Sequence, residues 1–205
     1  PPVPPPLERL GDAGPAPLYT GDVGKAIVVD QQANGGLLTA GDLAAYEVLH
    51  LSPLPIDYRG FTILVPPPSS SGGVLVAFAL KLLATRQLNE MAHNSAAHLR
   101  LLAEVMRLTN VARRDWDAHH GLGENRIAWF LSDDHVDLFR RRLDAILNGD
   151  AAPEEPSFAP GPNDTTHISV VDQNGLLVSV TTSAGENAGF VVGDTGVCLN
   201  NMLGE

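Results

Sequence analysis

The chain has 205 residues, 44% of them hydrophobic, with a mean hydropathy near zero, which predicts a soluble, globular chain able to bury a real core. Thirteen basic residues against 24 acidic ones leave a formal charge of −11 and exclude a nucleic-acid partner, because phosphate binding needs clustered Lys and Arg. A single cysteine, Cys198, excludes an internal disulfide and a multi-cysteine metal site, and no apolar run approaches the roughly 20 residues that span a bilayer.

Residues 1 to 17 are rich in proline and carry no apolar period, so extended, poorly ordered backbone is expected there. The chain opens on Pro1-Pro2 rather than Met and lacks the basic and apolar regions of a signal peptide. It closes on strand-like Val197-Cys198-Leu199 running straight into Asn200 to Glu205, so both ends read as cuts in a longer protein. Cys198 itself is expected as a small buried hydrophobe in that strand.

Val23, Ala26 and Ile27 share a helical face and Asn34-Gly35-Gly36 supplies a left-handed stop, which predicts a helix over about 22–33. Thr39 and Asp42 have the spacing of a capping box, so a short helix begins there. Pro53 and Pro55 interrupt regular structure, and Tyr58 to Val65 reads as a buried strand. Pro66 to Gly73 leads into an apolar helix over 74–83; serine caps and close-packed glycines account for this turn better than an anion site, because no Gly-Lys-Ser/Thr ending follows. A longer helix starts at Asn94 or Ser95, with Leu101, Val105, Leu108 and Ala112 facing the core and Arg100, Glu104 and Arg107 turned away. It ends near His119-His120, whose adjacency and missing carboxylates supply no ligand set, so neither metal nor other cofactor is expected. A last helix covers about 134–147, with Arg140-Arg141-Arg142 as its solvated face, and residues 148–164 form a flexible Pro/Gly linker.

A period-two pattern begins abruptly at Thr165-Thr166-His167-Ile168-Ser169-Val170-Val171, turns at Asp172-Gln173-Asn174-Gly175, and returns through Leu176 to Ser183. With Asn174 and Gly175 as the central turn residues, Val171 faces Val178, Ile168 faces Thr181 and Thr166 faces Ser183. In every neighbouring register Thr165 stays close to Ser183. A threonine hydroxyl becomes a working nucleophile when it heads its own chain, since its α-amine, of ordinary pKa about 7.7–8.0, then takes the proton. On the residues alone, ordinary β-propensity with a turn aspartate explains Asp164-Thr165-Thr166-His167 equally well.

From Leu18 to Glu205 the chain resembles the γ-glutamyltranspeptidase family of N-terminal-nucleophile hydrolases. The resemblance is carried by Asn34 to Tyr46, Tyr58-Arg59-Gly60, Pro66 to Gly73, Asp164 to Asp172 and Gly196 to Asn201. It implies an α+β fold, the αββα four-layer sandwich, incomplete in this chain. It further implies a precursor that cleaves itself at Asp164-Thr165 into a large subunit, whose C-terminal part is 1–164, and a small one beginning with 165–205. Thr165 is then the nucleophile that takes a γ-glutamyl group from glutathione or a related small-molecule donor and passes it to water or an amino acid. Ser183 stands 18 positions on, where the family has a second hydroxyl, and Glu186, Asn201 and Glu205 are the expected donor-binding residues. Gly185 and Met202 depart from the family's amine-binding pattern. The family's carboxylate-binding arginine falls before Leu18 and its oxyanion hole after Glu205, so this piece alone is expected to be inactive or nearly so. Two alternatives stand beside this reading: an acylase of the same superfamily acting on glutaryl or poly-γ-glutamyl amides, and a non-catalytic, unprocessed scaffold.

Overall fold

The computed structural model describes residues 5–119, 125–153, 165–183 and 187–200, with helices where the apolar period is 3.6 and hairpins where it is two. The class is mixed α+β. Among the described residues the strands form three separate two-stranded antiparallel sheets, and no helix is long and apolar enough to cross a membrane. Backbone contacts divide the chain into one unit of residues 1–49 with 160–205 and a second of residues 50–159.

In the first unit, the expected extended N-terminus is instead two short helices, α1 (Pro5–Ala13) and α2 (Ala16–Tyr19). Proline is compatible with a helix's first turn, where its missing N–H would have no partner anyway. Arg9 also ties α1 to the start of α3 (Asp22–Asn34), donating to both Asp22 carboxylate oxygens at 3.0 and 2.6 Å. Helix α3 ends at left-handed Gly35 as its sequence predicts. Its buried Val23 and Ile27 pack on Val192, with Leu18, Leu38, Val197 and Leu199 around them. The last two belong to the segment that carries β5 (Asn187–Val191) and β6 (Cys198–Asn200). Helix α4 (Ala40–Ala44) starts from the predicted capping box: Asp42 N–H donates to Thr39 Oγ1, and the Asp42 carboxylate accepts from Thr39 N–H at 2.8 Å. Cys198 is exposed, contrary to expectation; among the described residues β6 pairs with β5 alone.

In the second unit, Tyr58 to Val65 is not one strand but the tip and return of a hairpin, β1 (Leu54–Tyr58) paired with β2 (Phe61–Val65). Pro55 is tolerated in β1 because a two-stranded ribbon leaves one side of each strand without a ladder to complete. Most of β2 is exposed rather than buried. Arg59 and Gly60 turn the chain with φ of 52° and 84°, both positive as a tight hairpin turn requires. An arginine is uncommon there, and what offsets it is its reach. Its guanidinium donates to the carbonyls of Leu83 (3.2 Å) and Arg86, at the C-terminal end of α5 (Ser71–Leu83), where the negative end of the helix dipole favours a cation. At the other end of α5, a Cβ on Gly73 would lie 2.0 Å from the Pro66 carbonyl oxygen, so only glycine allows this approach. Ser70 stands at the N-cap without the side-chain bond its type suggested.

The core of this unit is aromatic. Phe78 of α5 lies 4.9 Å from Phe130, which ends α7 (Asn125–Phe130), and 5.2 Å edge-on from Phe139 of α8 (Asp133–Asn148). Such pairs add about 0.5–1.5 kcal/mol beyond their area. Helix α6 (Ala96–Ala118) buries the predicted stripe Leu101, Val105, Leu108 and Ala112, and Ser95 caps it. Glu104, expected to face solvent, is 6% exposed and stands 3.3 Å from Arg107 Nε, since neighbours press on α6 over more than one stripe. Two of the three arginines expected to be solvated are engaged. Arg140 bonds Asp137 at 2.6 Å and the Lys81 carbonyl at 2.9 Å, and Arg142 lies 4.8 Å over the Phe139 ring. Buried His135 donates from Nδ1 to the Phe130 carbonyl at 2.8 Å while its Nε2 faces the Asp115 carboxylate at 3.2 Å. His119 stacks on Trp129 at 4.0 Å; His120 and most of the expected linker lie outside the described residues.

Removing the Arg59 side chain should cost about 1.5–3 kcal/mol in urea unfolding, the usual range for hydrogen bonds that involve a charged group. Arg59→Gly should cost less than Arg59→Ala, because glycine accepts the positive φ without strain. A second expectation concerns acid. The Thr39 hydroxyl and then the Thr39 backbone N–H hold the Asp42 carboxyl below the usual carboxylate range. A depressed folded value means the cap contributes fully above the unfolded pKa of about 3.9 and is lost as pH falls through the lower folded one. Protection factors of the α4 amides, taken against the unstructured rate at each pH, should therefore fall below about pH 4 in the wild type, and Asp42→Asn should remove that dependence.

Candidate functional site

The abrupt threonine junction becomes strand β3 (Thr165–Val171), paired antiparallel with β4 (Leu177–Ser183). The register differs by one residue from that expected of an Asn-Gly centre: Val171 pairs with Leu177, Ile168 with Val180 and Thr165 with Ser183. The cause is Asp172. Its carboxylate accepts from the N–H groups of Asn174 (2.7 Å) and Leu176 (2.9 Å), and its carbonyl accepts from Gly175 N–H at 3.1 Å. These bonds start the turn one residue early and make Gln173 and Asn174 its centre. Gly175, at φ 84°, becomes the left-handed bulge residue that follows a type I turn.

Register decides which face each hydroxyl occupies. Asp172 N–H donates to Leu176 O, so 172 and 176 form a hydrogen-bonded pair. Alternation then makes 165 and 183 a non-hydrogen-bonded pair, the kind whose side chains approach most closely. Thr165 Oγ1 donates to Ser183 Oγ at 3.2 Å. On the same face come His167 with Thr181 and Ser169 with Ser179. His167 Nδ1 meets Thr181 Oγ1 at 2.7 Å, and its Nε2 meets Ser169 Oγ at 3.0 Å and Ser179 Oγ at 2.9 Å. The opposite face carries the Thr166–Thr182 pair at the open end and then Ile168, Val170, Val178 and Val180, each of these four about half exposed.

The structure thus brings together Thr165 and Ser183. Asp164, Glu186, Asn201 and Glu205, with Gly185 and Met202, lie outside the described residues. Asn200, directly before Asn201, lines a cavity of ≈ 620 Å³ in the first unit with Gln31, Leu38, Asp42 and Phe190, a size within the usual range for small-molecule sites. Sequence reasoning passed over His167, Thr181, Ser169 and Ser179. Their signal was parity: all share the alternation class of Thr165 and Ser183 once the register is right. No group of three or more metal-ligating side chains gathers among the described residues.

Comparison with known proteins places this geometry in context. The family model described as gamma-glutamyltranspeptidase matches residues 5–205. The glutathione hydrolase proenzyme of Escherichia coli is 31% identical over 211 residues, covering 96% of this chain and 35% of that protein. The acylase ACY 1 proenzyme of a Pseudomonas strain is 30% identical over 201 residues, with the same coverage. The chain therefore spans about a third of the length of these curated relatives. Among solved structures, the gamma-glutamyltranspeptidase of Pseudomonas nitroreducens in complex with L-DON superposes with a TM-score of 0.53 at 27% identity, over 74% of this chain and 44% of that one. The cephalosporin acylase of Bacillus halodurans shares the fold at a TM-score of 0.67 and 22% identity, over 95% of this chain and 34% of that one.

Proposed function

The chain belongs to the gamma-glutamyltranspeptidase family, and from that membership we propose that it is the nucleophile-bearing part of a γ-glutamyltransferase-like precursor. The precursor cleaves itself between Asp164 and Thr165. The observation that carries this reading is the Thr165–Ser183 hydroxyl pair at 3.2 Å, at the very start of strand β3.

In the cleavage step, Thr165 Oγ attacks the Asp164 carbonyl carbon, the peptide bond migrates to an ester, and water hydrolyses that ester. Asp164 then ends one chain as a carboxylate and Thr165 begins the other with a free α-amine. That amine, with an unperturbed pKa of about 7.7–8.0, takes the hydroxyl proton as Thr165 Oγ attacks the γ-glutamyl amide carbon of a donor such as glutathione. The proton passes to the leaving amine, an ester remains on Thr165, and water or an amino acid releases the acyl group. Ser183, which accepts from the Thr165 hydroxyl, orients it before attack and offers its own O–H to the oxygen as the proton leaves.

The cut does not follow the compact units. Val192, Val197 and Leu199, after the cleavage site, pack on Val23 and Ile27 before it. Large and small subunits of one precursor therefore stay together through a shared core rather than a linker. In the complete protein the two-stranded sheets are parts of the family's αββα four-layer sandwich, and residues outside this chain complete the oxyanion hole and carboxylate site. Glu186, Asn201 and Glu205 bind the donor's amine side.

A second reading, an acylase taking glutaryl or poly-γ-glutamyl amides, has its own support. Gly185 and Met202 depart from the amine-binding pattern, and the ACY 1 acylase proenzyme is as similar as the glutathione hydrolase one.

Intact-mass analysis of the full-length protein should show two chains that meet at Asp164-Thr165, and Thr165→Ala should leave one uncut, inactive chain. A single uncut wild-type chain would mean an unprocessed, non-catalytic relative. For the cleaved protein, hydrolysis of γ-glutamyl anilide in preference to glutaryl anilide is the expected result; the reverse preference selects the acylase.

A further inference from the structure

We infer that Thr195 is a positioning residue for the donor site: its hydroxyl ties together the two limbs of the turn between β5 and β6, and so sets the strand that leads directly into Asn201 and Glu205. The inference rests on the proposed amine-binding role of those two residues for its kinetic consequence, though not for its structural one.

The turn runs over Val192-Gly193-Asp194-Thr195-Gly196-Val197. Val192 N–H donates to the Val197 carbonyl at 2.9 Å, which closes the loop on one side. In an ordinary hairpin the same two residues would exchange a second bond, from Val197 N–H to the Val192 carbonyl. Here the Thr195 hydroxyl stands between them. It accepts from Val197 N–H at 3.1 Å and donates to the Val192 carbonyl at 2.6 Å, where Thr195 N–H also donates at 3.0 Å. A hydroxyl has one proton and two lone pairs, so it makes both bonds at once.

That bridge matters because the loop backbone is otherwise permissive. Gly193 and Gly196, at φ of 42° and 69°, occupy two of the four loop positions, and glycine loses the most freedom when a chain is fixed. Packing holds both limbs on α3: Val192 is 2% exposed and, with Val197 and Leu199, packs on Val23 and Ile27. Apolar contact is non-directional, so it presses the limbs down without fixing how far one lies along the other. The Thr195 bonds do fix it. With Val192 set against Val197, Val191 pairs with Cys198, and β6 ends at Asn200, paired with Asn187 across a register shift in β5. These bonds join residues within one turn, so they do not depend on what covers its outer faces in the longer precursor.

The test uses the full-length protein with Thr195→Val, which keeps the shape and removes both hydroxyl bonds, and Thr195→Ser, which keeps the hydroxyl. Thr195→Val should cleave as completely as the wild type and keep kcat within about threefold, because Thr165 and Ser183 stand on a different hairpin. Its KM for a γ-glutamyl anilide should rise about tenfold, the pattern of a binding contact made equally in ground and transition states. KM for a glutaryl anilide, which lacks the α-amine, should stay within about twofold. Thr195→Ser should restore the wild-type KM. An unchanged γ-glutamyl KM in Thr195→Val overturns the inference, as does an equal rise for both anilides or a loss of kcat at unchanged KM. A Thr195→Val chain that fails to cleave where the wild type does has a general structural role, and overturns it too. Amide hydrogen exchange keeps this apart from failure of the amine-site reading. Even in a protein that turns over neither anilide, the Val197 amide should lose about tenfold in protection in Thr195→Val and regain it in Thr195→Ser. Unchanged protection overturns the inference whatever the protein's activity.

Discussion

The pairing of β3 with β4 is the constraint on which the functional reading depends, and it is set by one side chain at the turn. Asp172 captures two backbone N–H groups and starts the turn a residue early, and Gly175 absorbs the extra residue in a conformation that other residues resist. Because side chains alternate with a period of two, that single residue moves Thr165 and Ser183 onto the same face and into hydrogen-bonding distance. One side then gathers the groups that bond one another: two hydroxyls at the end, an imidazole and three more hydroxyls behind them. The other side carries Ile168, Val170, Val178 and Val180, with Thr166 and Thr182 at its open end.

The rest of the chain divides its work between two cores. In the second unit, Phe78, Phe130 and Phe139 meet among four helices, and charged side chains close the helix ends around them. Arg59 reaches the last carbonyls of α5, Arg100 bonds the Ile146 carbonyl near the end of α8 at 2.8 Å, and Lys81 bonds Leu131 at 2.8 Å. In the first unit the core is smaller and joins distant parts of the sequence, α3 on one side and the β5–β6 segment on the other. A cut at Asp164-Thr165 would leave that core intact, which is the physical condition for a processed precursor to remain one folded body.

Local signals were read well where local forces decide. The Thr39–Asp42 box, the Gly35 stop, the Ser95 cap and the Leu101–Ala112 stripe all involve residues within a few positions of each other, so spacing alone determines their geometry. Misreadings came where a distant partner intervenes. Tyr58-Arg59-Gly60 looked like the start of a strand because β-branched and aromatic residues follow it, whereas Arg59 bends back to serve a helix some 24 residues away in sequence. Glu104 carries a charge that predicts solvent, yet packing on α6 covers it beside Arg107. The N-terminal prolines suggested extended backbone, but Pro5, Pro6 and Pro17 occupy first turns, where a missing N–H does no harm.

For the candidate site the division is similar. By itself the sequence determined that a hairpin exists from Thr165 to Ser183, that its turn lies within Asp172–Gly175, and that a threonine stands at its start. It also carried the family resemblance, since ordered motifs survive without reference to contacts. Only the tertiary structure decided the register, and with it which hydroxyl meets Thr165 and that His167 bridges the strands. The reason is physical: an Asn-Gly pair and an Asp-initiated turn with a glycine bulge both fit the same four residues. What chooses between them is the pair of hydrogen bonds that the Asp172 carboxylate accepts from the turn's N–H groups.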